Sequence, residues 1–328
     1  MAGRLAMSYA LRRLVHSIFV LWAVVTILFL MFRLMPGNPL AAYINEQLSE
    51  DDQRLIMAQF GLDRPLYEQY VIYIWNLCQG NLGMSFFRRE PVWDVLKSAL
   101  PNTLILTITG LVLAYVFGIL AGAWLATKRG TVAEGIIVPA ALATRAAPEF
   151  WIGMILLTIF AFTLGWFPAG GANSPGAAYS SEWSRIFSRD FALHLALPAL
   201  TLALYLQGLP LLLMRSTMLD ILHDEFITMA RIKGLSPWRI TLHHAARNAL
   251  LPVVTAFALG LGATLGGNVV VETVFSWPGL GRLLVAAVSQ SDYPLAQGAF
   301  FLISLVLITL NFLVDLLYGL LDPRVSHG

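Results

Sequence analysis

The stretch Thr103–Ala126, TLILTITGLVLAYVFGILAGAWLA, decides what kind of protein this is. It holds no charged side chain and exceeds the ~20 helical residues that cross the hydrocarbon core of a bilayer. It ends just before Lys128 and Arg129, cations suited to a membrane surface. Five further apolar runs are also long enough to cross: Leu14–Leu34, Ile136–Phe162, Leu193–Met214, Val253–Thr273 and Gln297–Leu321. The first follows Arg12 and Arg13. It is longer than the ~7–15 apolar residues of a secretory signal, so it reads as an uncleaved anchor. The expected fold is all-α and polytopic, with six transmembrane helices and a small external helical insert.

Composition excludes most other classes. Of 328 residues, 58% are apolar and 12% charged, with mean hydropathy +0.71. Soluble domains carry about 25% charged residues, so this chain cannot coat a water-facing surface. A net charge of +2 gives no case for nucleic acid. The single cysteine, Cys78, excludes an internal disulfide and a cysteine-based metal cluster. The histidines lack H-E-x-x-H spacing, and no G-x-x-x-x-G-K-S/T loop is present to cradle a nucleotide phosphate. No catalytic residue, metal or cofactor is therefore expected on this chain.

Basic residues set the orientation. With the N-terminus in the cytoplasm, the inner side receives Arg4, Arg12, Arg13, Lys128, Arg129, Arg215, Arg231, Lys233, Arg239, Arg247 and Arg324. The two short outer loops hold only Arg185, Arg189 and Arg282. Both termini are expected in the cytoplasm. The expected divisions are 1–35 (cytoplasmic start and first span), 36–101 (external insert), 102–321 (five-helix core with a cytoplasmic loop at 215–250) and 322–328 (cytoplasmic tail). Within the insert, Ser49 and Asp52 resemble a capping box for a helix ending at Gly61. A second helix follows Asp63 and Pro65 and stops at Gly80.

One basic stretch stands out, EFITMARIKGLSPWRITLHHAARNALLP, Glu225–Pro252. Phe226, Met229 and Ala230 form a narrow apolar stripe on a short helix, and Gly234 breaks that helix. Ser236 is placed to cap the next helix, with Pro237 as its first residue. There Trp238, Leu242, Ala245 and Ala249 share one face, while Arg239, His243 and Arg247 step along another. Spacing alone fits either a helix lying on anionic lipid or a hairpin docking into the groove of a soluble partner.

The segment resembles the cytoplasmic EAA loop of binding-protein-dependent ABC importer permeases, in the form found in the dipeptide, oligopeptide and nickel branch. Thr228, Met229 and Ala230 occupy the triad positions and Gly234 the glycine; Thr228 and Met229 depart from the general motif. The ending His244–Val254 matches the peptide branch. Further blocks agree in order: GLDRPLYEQY (61–70), GNLGMS (80–85, with Asn81 where Asp is usual), PEFWIGMILLTIFA (148–161), LGWFPAGG (164–171), ETVFSWPGLGRLL (272–284), DYPLAQG (292–298) and NFLVDLLYGLLDPR (311–324). The long insert is similar to that of the B-type subunit.

The resemblance implies one half of the pathway of an ATP-driven importer of di- or oligopeptides delivered by an external substrate-binding protein. It implies a second homologous permease and two cytoplasmic ATP-binding subunits, with ATP and Mg held there, and lipid around the spans. The coupling loop would comprise Glu225, Phe226, Thr228, Met229, Ala230, Arg231, Lys233, Gly234, Trp238, His244 and Arg247. Charges inside the membrane are expensive and usually face a cavity or partner. Candidate path residues are therefore Arg145, Pro148, Glu149, Trp151, Glu272 and Asp315. Arg145 and Glu149, one turn apart, also fit a plain i,i+4 ion pair. Trp277, Pro278, Gly279 and Gly281 suit an outer gate or a tight turn. The rival class is a secondary transporter or channel independent of ATP; nickel chelates, glutathione or another small solute are alternative cargoes.

Overall fold

The computed structural model describes residues 2–34, 64–265 and 268–321. In chain order the helices are α1 (Ala2–Leu34), α2 (Leu66–Cys78), α3 (Val92–Ala126), α4 (Val132–Ala146), α5 (Glu149–Leu156), α6 (Glu182–Ile186), α7 (Arg189–Leu206), α8 (Gly208–Ile221), α9 (Glu225–Ile232), α10 (Pro237–Arg239), α11 (Arg247–Leu265), α12 (Val269–Val274), α13 (Leu280–Ser289) and α14 (Tyr293–Leu321). Wider π-helical turns continue α5 over Leu157–Thr163 and join α10 to α11 over Ile240–Ala246. Helices suit apolar segments because every backbone polar group is then satisfied internally. Apart from one Met84–Pro91 bridge, no β-pairing occurs among the described residues.

The described residues contain four unbroken helical stretches long and apolar enough to cross a membrane: Ala10–Leu34, Val92–Ala126, Arg189–Leu206 and Tyr293–Leu316. The third expected span differs. Val132–Ala146 and Glu149–Thr163 meet at an angle of 109°, so Ile136–Phe162 is no continuous rod. Pro148 disfavours helical geometry in the residue before it. Ala147 is accordingly extended (φ −71°, ψ 146°) and its amide makes the last bond of α4. The fourth run, Leu193–Met214, is divided at Gln207 between α7 and α8. The fifth comprises most of α11 and α12, with residues 266–267 outside the described ones. The proposed Ser49–Asp52 cap also lies outside them, whereas the helix expected before Gly80 is α2.

The chain forms two compact units, residues 1–101 with 279–328 and residues 102–278. In the first, Phe32 of α1 packs its ring on Tyr293 and Phe300 of α14. Insert helix α2 lies against α1, where Phe29 contacts the rings of Tyr70 and Tyr73. The Thr26 and Tyr70 hydroxyls are 2.8 Å apart. The opening of α3 (Val92, Leu96) packs with Leu283, Ala287, Leu295 and Ala299. Asp292 is fully buried there, accepting from the Ser85 hydroxyl and, at 3.1 Å each, from the Phe86 and Phe87 amides.

In the second unit α3 meets α7 and α8 at backbone distance. A Cβ on Gly122 would stand 2.5 Å from the Leu211 carbonyl, so only glycine permits this approach. Leu106, Leu197, Leu202, Phe191, Val271, Phe275 and Trp277 form one core. Asp190 organises the loop before α7, accepting from the Ser174 amide at 2.8 Å and from the Tyr179 hydroxyl at 2.7 Å. That second bond holds the Tyr179 phenol above its ordinary pKa.

Candidate functional site

The basic hairpin is built on a buried footing. In α9, Ile227 is wholly buried and Ala230 nearly so. Both pack with Ile240, Ala245, Ala249 and Val253 from the following helix, and with Met214 and Met218 of α8. The turn between the helices closes α9 in a Schellman arrangement. The Leu235 amide reaches the Ala230 carbonyl at 3.2 Å and the Gly234 amide reaches that of Arg231 at 2.9 Å. Gly234 adopts φ +75°, a conformation open to glycine at little cost. Ser236 caps α10 as its sequence position suggests, accepting from the Arg239 amide at 3.4 Å, with Pro237 at the first position.

This footing divides the expected apolar stripe. Ala230 turns inward with Ile227, which spacing did not single out. Phe226, Met229 and Ile232 turn outward, the last two 60% and 75% exposed. On the second arm the π-helical turn shifts the register. Ala245 and Ala249 are buried, while Trp238 is 73% exposed and Leu242 also faces out. Glu225, Thr228, Arg231, Lys233, Arg239 and Arg247 are exposed as well, and His244 is half-buried. None of these cations forms an ion pair among the described residues. The result is a cationic surface studded with large apolar side chains.

The membrane charges separate into two groups. Glu272 is fully buried and accepts from the Thr103 hydroxyl at 2.6 Å. Asp315 pairs with Arg13 at 2.9 Å. Arg145 and Glu149 instead lie on the two arms of the α4–α5 corner. The 109° turn removes the one-helix geometry expected of them, and no ion pair joins them. The Arg145 guanidinium carbon sits 5.6 Å from the centroid of the Tyr205 ring. Trp151, in the first turn of α5, is exposed. An ion pair absent from the sequence reading, Glu134–Arg215, ties α4 to α8, with Arg215 Nε at 2.8 Å from the carboxylate.

Trp277 is fully buried, its indole N–H donating to the Asn102 carbonyl at 3.0 Å; the Asn102 side-chain amide donates to the Pro278 carbonyl at 3.0 Å. In the other unit Gly279 precedes α13 as its cap residue, and Gly281 is buried within that helix. Asp292, which sequence reasoning also passed over, caps α14, accepting from the Leu295 amide at 3.3 Å. The sequence Asp-Tyr-Pro was a legible signal for it, since a capping aspartate followed closely by proline marks a helix start.

Comparison with known proteins adds the family. Residues 115–327 match the profile of the binding-protein-dependent transport system inner membrane component, and residues 6–107 match that of its N-terminal region. The chain is 38% identical to the di/tripeptide transport system permease protein DppB of Pseudomonas aeruginosa (strain UCBPP-PA14), covering 98% of this chain and 99% of the relative. It is 37% identical, at the same coverage, to the glutathione transport system permease protein GsiC of Escherichia coli (strain K12). A solved structure of the MetNI methionine ABC transporter, inward facing, aligns over 71% of this chain and 95% of that one, with TM-score 0.48 and 15% identity. The chain belongs to the binding-protein-dependent transport system inner membrane components, as a multi-pass ABC importer permease.

Proposed function

We propose that this permease forms half of the membrane path for a small peptide or peptide-like solute handed over by an external binding protein. Two cytoplasmic subunits that bind ATP and Mg would drive it, and a second permease would complete the path. The observation that carries this reading is the hairpin of α9 and α10. Large apolar side chains face outward there while the opposite face is anchored in the chain's own core. Such an arrangement transmits a push from a docked partner into α8 and α11. Unpaired cations around the apolar knobs orient that docking and keep the hairpin out of the lipid.

The basic-residue bias supports placing this hairpin and both termini in the cytoplasm. The relatives named for di/tripeptide and glutathione transport support a short, peptide-like cargo. The path is assigned to the corner at Arg145, Pro148, Glu149 and Trp151. Glu272 and Asp315 already have partners within the chain and serve the scaffold, and the Trp277–Pro278 turn acts as a fixed strut beneath the outer loops. The test is reconstitution of the chain with the permease, ATPase and binding-protein subunits encoded beside it, followed by uptake of labelled tripeptide. Import that needs ATP and the binding protein is expected; tripeptide uptake by this chain alone, driven by an ion gradient, would overturn the reading.

A further inference from the structure

Two helix interruptions meet in the second unit. One is the Ala147–Pro148 corner between α4 and α5; the other is Gln207, between α7 and α8. Gly208 opens α8 against α4, where a Cβ on it would lie 3.1 Å from the Ala141 carbonyl oxygen and 3.7 Å from the Arg145 Cβ. Broken helices that meet inside a transporter leave polar groups available to a solute.

The side chains at this junction are chemically specific. The Arg145 guanidinium lies over the Tyr205 ring in a cation–π contact that limits its motion. Its in-plane N–H groups donate to no acceptor among the described residues. A guanidinium held in this way presents a planar fork that matches a carboxylate in two parallel hydrogen bonds. Across the corner, half-buried Glu149 has no hydrogen-bond donor or cation among the described residues. Glu134, Arg215 and Gln207 also belong to the helices packed here, but Glu134 and Arg215 neutralise each other. Opposite charges four residues apart normally close into a pair on one helix face. The corner prevents that and leaves both poles open.

We propose that Arg145, steadied by Tyr205, takes the carboxylate of the passing solute while Glu149 takes its ammonium group. The corner is then a selectivity point for small zwitterions. This inference rests on the permease reading above.

The experiment uses the permease–ATPase complex purified without its binding protein, with labelled trialanine as the probe. Wild type is expected to bind trialanine, with its C-amidated and N-acetylated forms competing at least about tenfold more weakly. In Arg145→Met the amide should compete as well as trialanine, and in Glu149→Gln the acetylated peptide should. Arg145→Lys, a second variant should Arg145→Met fail to assemble, keeps the charge but not the fork and should lose most of the discrimination against the amide. Absence of trialanine binding, or variants that discriminate as wild type does, would overturn the proposal. ATP-driven uptake by the complete wild-type complex separates the two readings. If uptake proceeds without this discrimination, only the corner assignment falls; if uptake fails, both fall.

Discussion

Arg185 and Asn102 are joined by a buried hydrogen bond of 2.9 Å, from the guanidinium to the side-chain carbonyl oxygen. Arg185 also pairs with Glu182 at 2.9 Å and lies 4.9 Å above the Phe191 ring. Asn102 passes the connection on, through its amide to Pro278 and through its backbone carbonyl to Trp277. One asparagine in α3 thus fixes the helix α6 and the turn after α12. Asn102→Leu would strand the Pro278 carbonyl and part of the Arg185 guanidinium, and each unsatisfied buried group costs about 1–3 kcal/mol. The purified complex should melt measurably earlier by tryptophan fluorescence. Asn102→Asp, which keeps the acceptor for Arg185, should lose less. An unchanged melting curve for the leucine variant would show the network contributes little.

The hairpin makes a sharper forecast, because its two faces have different jobs. Ile227→Ala empties a fully buried site, and such truncations cost about 2–5 kcal/mol. It should lower the yield of folded permease. Phe226→Asp and Trp238→Asp touch only the outward face, so insertion and melting should hold while co-purification of the ATPase subunits falls. If the outward variants retain normal ATPase binding, the face lies on lipid instead.

These two faces also show how far the sequence could be read. The first, second and sixth apolar runs, the helix before Gly80, the glycine break at Gly234 and the Ser236 cap rest on local patterns and survive folding, whereas the third run bends at Pro148 and the fourth divides at Gln207. The stripe did not survive whole, because Ala230 turns into the core beside Ile227, and on the second arm the π-helical turn at Ile240–Ala246 shifts which residues face inward. Nothing in the composition of that turn announces it. Arg145 and Glu149 were legible as membrane charges, yet their separation depends on how far the chain bends at Pro148. A proline predicts a kink, but its neighbours fix the angle. Tyr205 could not be foreseen as the partner of Arg145, since only tertiary packing brings α7 to the end of α4.

Among the described residues, four helices end in the Schellman turn seen at Gly234, and two of them use serine at the left-handed position. After α13, Ser291 has φ +56°, with the Asp292 amide bonded to the Ala287 carbonyl at 2.8 Å and the Ser291 amide to that of Val288 at 3.1 Å. A non-glycine residue in this conformation costs about 1 kcal/mol. Ser291→Gly should therefore raise the melting temperature slightly, and Gly234→Val should lower it and weaken ATPase coupling. Equal stability in both variants would mean that the turns relax out of the left-handed region.

The last expectation concerns orientation. Cys78 is the sole cysteine and ends α2, where its side chain is exposed. An exposed thiol needs no unfolding to react, so labelling reports the side of the membrane directly. If the basic-residue bias sets the topology, α2 stands outside the cytoplasm, and a membrane-impermeant maleimide should modify Cys78 in intact spheroplasts. Prior treatment with a second impermeant thiol reagent should then block it. A cysteine-free Cys78→Ser variant carrying a new thiol in place of exposed Lys233 should behave in the opposite way, reacting only after the membrane is opened. Both thiols reacting from the same side would break the topology, because the hairpin and the insert helix would then share a compartment. Reversal of both would invert it and place the coupling surface beyond the reach of cytoplasmic ATP.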